Sequence, residues 1–201
     1  MTRYDIANVS RETSEKLRAF ASLVEKWNPT INLVSKASLP DLWERHILDS
    51  VQVYDIASGD GHWVDIGSGG GFPGMVVAIL NGEETRFKVT LVESDQRKCT
   101  FLRTALRELD IAATIQTARI ETMAPQKADV LSARALADLS KLLDFANRHL
   151  LPTGTALFSK GENWKSEQEE AQRMWSYECE AITSKTNPAA AVLKIKDIAR
   201  V

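Results

Sequence analysis

Trp63-Val64-Asp65-Ile66-Gly67-Ser68-Gly69-Gly70-Gly71-Phe72-Pro73-Gly74 decides the reading of this chain. A short apolar run ends in glycines, and the apolar segment Met75-Val76-Val77-Ala78-Ile79-Leu80 follows. Glycines adopt backbone angles closed to other residues and let a ligand lie against the main chain. Pro73 suits the first turn of a helix, where its missing N–H costs nothing. Strand, glycine turn and helix in that order open an α/β sheet, whose ligands sit beyond the carboxyl ends of the strands. A turn without a ligand has no need of glycine at four of five positions from 67 to 71. Inside an element each glycine costs about 1 kcal/mol relative to alanine.

Two glycine patterns overlap here. Gly69, Gly71 and Gly74 fit the dinucleotide fingerprint G-x-G-x-x-G, with Glu93 at the distance of a ribose-binding acid. Gly67, Gly69 and Gly71 fit the S-adenosylmethionine pattern, an acid two residues before G-x-G-x-G. Spacing alone leaves both open, and placement on the strand favours the second. Asp65 is the last polar residue of the strand and Gly67 opens the turn. An acid there suits the ammonium group of a methionine tail and repels a pyrophosphate. Glu93 closes the next strand, where it can accept the ribose hydroxyls of the cofactor.

Outward from the turn, short apolar runs alternate with helical stretches. Strands are expected at 63–66, 87–92, 113–116, 129–132, 155–159, 176–184 and 190–197, and helices near 95–109, 138–149 and 163–174. Repeated strand–helix units give a parallel sheet covered on both faces. Two closing strands with no helix between them give an antiparallel hairpin at one edge. The fold class is α/β: a Rossmann-like class I methyltransferase, with a mostly parallel seven-stranded sheet preceded by N-terminal helices. Residues 1–201 form one domain, with 1–57 a helical cap and 58–201 the cofactor-binding core. In the cap, Leu17, Phe20, Ala21, Val24 and Trp27 recur at helical spacing, Ser10 is the N-cap, and Asn28-Pro29 is a stop signal. A second helix starts at Ser38, with Pro40 in its first turn and Leu39, Leu42, Trp43, Ile47, Val51 and Tyr54 on its apolar face.

The bulk numbers bound the function. A chain of 201 residues buries a core without staples, and Cys99 and Cys179 alone give neither a disulfide framework nor a metal cluster. Met1-Thr2-Arg3-Tyr4-Asp5-Ile6-Ala7-Asn8 lacks the apolar stretch of a secretory signal, and no run approaches a membrane span. The expected location is the cytoplasm, and the expected state is a monomer. A net charge of −2 argues against a dedicated nucleic-acid-binding domain, although a local basic face would vanish in that sum.

Residues across most of the chain resemble the bacterial small-subunit (16S) ribosomal RNA guanine-N7 methyltransferase family, also called glucose-inhibited division protein B. They are Lys26-Trp27-Asn28, Ile31-Asn32-Leu33-Val34-Ser35, Glu44-Arg45-His46-Ile47-Leu48-Asp49-Ser50 and the glycine turn through Gly74. Further on come Leu91-Val92-Glu93-Ser94, Arg97-Lys98, Phe101-Leu102, Arg119-Ile120-Glu121, Arg134-Ala135-Leu136-Ala137 and Lys160-Gly161. Met75-Val76-Val77 departs from the family in lacking a proline after the turn. The resemblance implies S-adenosylmethionine as cofactor and 16S ribosomal RNA or the small ribosomal subunit as partner. It implies that Gly67 and Phe72 line the cofactor pocket, that Ile120 and Glu121 flank the adenine, and that Arg134 reaches the cofactor or the incoming base. The alternative is methyl transfer to a small molecule or a protein.

Guanine N7 carries an exposed lone pair, so its methylation needs no general base, and no catalytic base is expected. None of His46, His62 and His149 sits in a strand-end loop with a paired acid. Arg134 and Lys160, at the ends of the fourth and fifth strands, are the residues expected to position substrate. Arg45 and Asp49 are spaced i,i+4, as in a helix-face ion pair. Lys98, Arg103 and Arg107 give one helix a basic flank, either solvated or set against RNA phosphate. The five tryptophans include candidates for stacking on a base, with none singled out.

Overall fold

The computed structural model of the protein describes residues 9–201. Residues 1–8, the stretch read for a secretory signal, lie outside the described residues.

Helix α1 spans Arg11–Ile31, and the Ser10 hydroxyl caps it by accepting the Thr13 N–H at 3.1 Å. Its stripe buries Leu17, Phe20 and Val24 completely, while Trp27 is half-buried. The helix does not stop at Asn28-Pro29 as expected but runs one turn further, to a left-handed cap at Asn32. A proline costs the helix one hydrogen bond, and Asn28 offsets that loss. Its carbonyl takes the Asn32 N–H and its buried side chain takes the Val34 N–H at 2.8 Å.

The expected second helix is three segments. A 3-10 turn at Leu39–Asp41 holds Pro40, a π-helical segment spans Trp43–Leu48, and α2 spans Asp49–Ile56. The wider π turn keeps Leu42, Trp43 and Ile47 buried and changes which side chains are neighbours. No ion pair joins Arg45 to Asp49, because i,i+4 residues no longer stack on one face. Asp49 instead accepts the Ser184 and Thr186 hydroxyls.

The remaining elements are β1 (Gly61–Ile66), α3 (Gly74–Glu84), β2 (Phe87–Glu93), α4 (Gln96–Glu108), β3 (Thr114–Thr117), β4 (Ala128–Arg134), α5 (Leu139–His149), β5 (Leu150–Lys160), α6 (Trp164–Ala171), β6 (Trp175–Thr183) and β7 (Ala191–Arg200). They form one seven-stranded sheet in the order β3-β2-β1-β4-β5-β7-β6. Strands β1 to β5 are parallel, while β7 pairs antiparallel with both β5 and β6, so the closing hairpin stands at the edge as expected. One apolar cluster joins α1, α2, α3 and α4 to β1 and β2, and the other gathers α5 and α6 against β4, β5 and β7. The strand order reverses at β1, between β2 and β4. That switch point is where a doubly wound sheet opens a crevice at its carboxyl edge.

Candidate active site

The crevice is a cleft of about 670 Å³ over the ends of β1, β2 and β4. Its floor is the glycine turn. Gly67 and Gly69 take left-handed backbone angles, φ +64° and +53°. The left-handed angle favours glycine at position 67, and a Cβ there would also crowd the Leu136 side chain at 2.5 Å. Gly71 (φ +93°) does not line the cleft, because its Cα faces Met75 and Phe20 in the core.

Glu93 ends β2 with its carboxylate in the cleft. One oxygen accepts the Gly69 N–H at 2.8 Å, and the other accepts the Ser94 and Asp95 N–H groups at 2.7 and 2.8 Å. A carboxylate has about four acceptor sites, so capacity for a hydroxyl remains. Phe72, Ile120 and Phe145 supply apolar wall, and Glu121 stands exposed at the rim. These features fit S-adenosylmethionine: a bare backbone floor, a fixed acid at the second strand end and an apolar slot beyond it.

Asp65 corrects the sequence expectation. Its side chain is fully buried under the turn and absent from the cleft wall. One oxygen accepts the Ser132 hydroxyl at 2.7 Å, which in turn accepts the Trp63 indole N–H at 2.9 Å. The other packs where a Cβ on Gly74 would fall, 2.5 Å away, at the start of α3. Burial pushes this carboxyl up to about 6, with hydrogen bonds from Ser132 opposing the rise. The acid supports the turn from below.

Lys160 also departs from its expected role. Its ammonium is 2.5 Å from Glu167 and donates to the Ala137 carbonyl at 2.8 Å. Glu167 accepts the Leu139 N–H at 2.8 Å as well. The pair therefore holds the 135–138 loop over the turn. The side chain is only 9% exposed, too enclosed to reach an RNA backbone.

Arg134, at the end of β4, lines the cleft as expected. Its Nη2 donates to the Arg45 carbonyl at 2.7 Å, and its Nη1 is buried without a hydrogen-bond partner. His46 stands on the π-helical segment with its ring 5.0 Å from that of Phe72. Burial, with Arg134 and Arg45 adding to it, holds its imidazole down at about 3. Its Nε2 is buried and unpartnered. An imidazole held that far below neutrality is a weak proton acceptor, poorly matched to general-base work near pH 7.

The cleft wall carries Arg45, Lys98, Arg119, Arg134 and Lys141 against Glu93 and Glu121. A chain of net charge −2 thus turns a cationic wall to its cleft. Lys141 and Phe145 gave no local signal in the sequence, because α5 reaches the cleft only through packing. None of the five tryptophans lines it. Among the described residues no group of His, Cys, Asp and Glu is placed to hold a metal, and no helix is long and apolar enough to cross a membrane.

Known proteins resemble this chain at two levels. By fold, it superposes on a SAM-dependent methyltransferase from Aquifex aeolicus with a TM-score of 0.60 and 13% identity, covering 87% of this chain and 97% of that one. Precorrin-6y C5,15-methyltransferase from Geobacter metallireducens superposes with a TM-score of 0.53 and 15% identity, over 82% and 90%. By sequence, it is 56% identical over 195 residues to ribosomal RNA small subunit methyltransferase G of Ruegeria sp. (strain TM1040), covering 96% of this chain and 95% of that one. Identity to the protein of that name in Gluconobacter oxydans is 44% over 196 residues, covering 98% and 100%. Residues 13–191 match the family model GidB, described as rRNA small subunit methyltransferase G. With a crevice shaped for the cofactor and relatives alike along nearly their whole length, this chain belongs to the GidB family of small-subunit ribosomal RNA methyltransferases.

Proposed function

We propose that this protein transfers the methyl group of S-adenosylmethionine to N7 of a guanine in 16S ribosomal RNA, acting as a cytoplasmic monomer on the RNA or on the small subunit. The observation that carries this reading is a cleft that joins a cofactor floor to a cationic wall. A wall with five cations suits a polyanion. N7 offers a lone pair that needs no deprotonation, and the histidine lining the cleft, His46, is held far below neutrality. When bound, the cofactor supplies an electrophilic methyl on its sulfonium. The residues of the chain bind, orient and exclude water, and proximity of this kind contributes about 7–11 kcal/mol to such reactions. Gly67 and Gly69 let the main chain approach the cofactor, Glu93 takes its ribose, and Ile120 and Phe72 enclose its apolar parts. Glu121 borders the adenine. Arg134 stands between the cofactor cleft and the substrate.

Methyl transfer from labelled S-adenosylmethionine to small subunits that lack the modification tests this reading. Label recovered as 7-methylguanine from wild type, and lost in a folded Gly67→Asp variant, supports it. No incorporation into RNA or subunits despite measured cofactor binding overturns it and favours a small-molecule or protein substrate.

A further inference from the structure

A second cavity, of about 570 Å³, opens beside the cofactor cleft and shares Arg45, Arg134 and Ala135 with it. It lies between the end of β5, the start of α2 and the β6–β7 turn. Its charge is opposite to that of the cleft. Asp41, Glu44, Asp49 and Glu167 face Arg45, Arg134 and Lys160, and Lys160 is already paired with Glu167. A phosphate would meet an excess of carboxylates there, whereas a group rich in N–H donors would be welcome.

The arrangement of Asp49 sharpens this. Its Oδ1 accepts the Ser184 hydroxyl at 2.8 Å and the Thr186 hydroxyl at 2.5 Å. Gln52 fixes the same turn, donating to the Thr183 carbonyl and accepting the Lys185 N–H, both at 2.8 Å. The carboxylate is therefore held rigidly, while its Oδ2 makes no hydrogen bond among the described residues. Across the cavity, Nη1 of Arg134 is buried and equally unpartnered. Asp49 and Arg134 thus act on each other through charge and line one cavity beside the methyl-donor cleft, and each keeps one atom that makes no hydrogen bond among the described residues.

Guanine presents its polar groups in the order N7, O6, N1–H, N2 amine around its edge. Arg134 lines both the cofactor cleft and this cavity, whereas Asp49 lines the cavity and not the cleft. We propose that this cavity holds the target guanine, with Arg134 donating to O6 and the Asp49 carboxylate accepting from N1–H and the N2 amine while N7 faces the cleft. Adenine has an amine where guanine has O6 and lacks a proton on N1, so it meets donor against donor and acceptor against acceptor. This assignment rests on the guanine-N7 reading above and makes Asp49 its specificity residue.

The test uses small subunits reconstituted with 16S RNA carrying either guanine or inosine at the methylated position. Inosine keeps N7, O6 and N1–H and lacks the N2 amine. Wild type should methylate the inosine substrate with kcat/KM lower by about 10–100-fold, the effect of one hydrogen bond to a charged group. Asp49→Asn should lower kcat/KM on guanine and bring the guanine-to-inosine ratio near one, with an unchanged Kd for S-adenosylmethionine. The double variant Ser184→Ala/Thr186→Val, which removes only the hydroxyls, should keep a ratio above that of Asp49→Asn. Equal wild-type turnover on both bases overturns the proposal without any variant. So does an Asp49→Asn enzyme that discriminates like wild type, or a hydroxyl variant that loses discrimination as fully. A wild type that methylates neither substrate overturns the guanine-N7 reading, and this proposal with it.

Discussion

At the scale of single residues, burial separates support from contact. Asp65 and Glu93 read alike in the sequence, as acids at consecutive strand ends. Glu93 meets the cleft held by three main-chain N–H groups, whereas Asp65 lies beneath the turn with burial raising its pKa to about 6. The consequence for stability has a definite sign. An unfolded aspartate ionises near pH 4, before the folded one, so this residue's contribution falls as pH rises from about 4 to about 6 and then levels. Asp65→Asn keeps an acceptor for Ser132 and removes the charge. The stability of the variant relative to wild type should therefore climb between pH 4 and pH 6, by up to about 3 kcal/mol. Urea denaturation at both pH values measures it, and an unchanged difference would show that Asp65 ionises freely in place. His46 carries a kinetic expectation. With its imidazole near 3, the kcat profile should show no inflection between pH 5 and 8 that disappears in His46→Gln.

At the scale of elements, the end of α1 builds part of the cleft wall. Asn28 anchors Val34, and Leu33 and Val34 face the cofactor cleft. Asn28→Ala leaves a buried N–H without a partner, at a cost of about 1–3 kcal/mol. It should also raise the Kd for S-adenosylmethionine, measured by calorimetry. Lost stability with unchanged affinity would mean that the loop holds its place without Asn28. The strand–helix alternation and the edge hairpin were legible in the sequence because each rests on local periodicity and glycine chemistry. The π-helical segment was not. Its apolar spacing from Leu42 to Tyr54 reads as an ordinary helix, and the wider turn shows only in the fold, where the Arg45 carbonyl takes an N–H from Arg134 at the end of β4.

At the scale of the whole molecule, the N-terminal helices and the sheet share one apolar cluster. Leu17, Phe20 and Val24 belong to the same buried group as Trp63, Met75 and Phe101. We expect one cooperative thermal transition for the full chain and none for residues 58–201 alone, which would expose that face to water. Calorimetry distinguishes this from two separable units. Charge is organised at this scale too. With a net −2 overall and a cationic cleft, binding to RNA should weaken steeply with salt. Lys98→Ala and Lys141→Ala should each reduce the slope of log K against log salt by roughly 0.7–1. A slope unchanged by both would place the RNA path elsewhere.

The sequence by itself determined the glycine turn, the parallel sheet with its antiparallel edge and the position of Glu93 at a strand end. Each of these follows from residue type and short-range spacing, through backbone freedom at glycine and the periodicity of apolar side chains. Only the tertiary structure decided which polar groups are exposed and which partner each one finds. It buried Asp65 against Ser132, tied Lys160 to Glu167, separated Arg45 from Asp49 and brought Lys141 to the cleft. Electrostatic partners are chosen by distance and dielectric in space, and residues far apart in the chain carry no local mark of the neighbour that folding will give them.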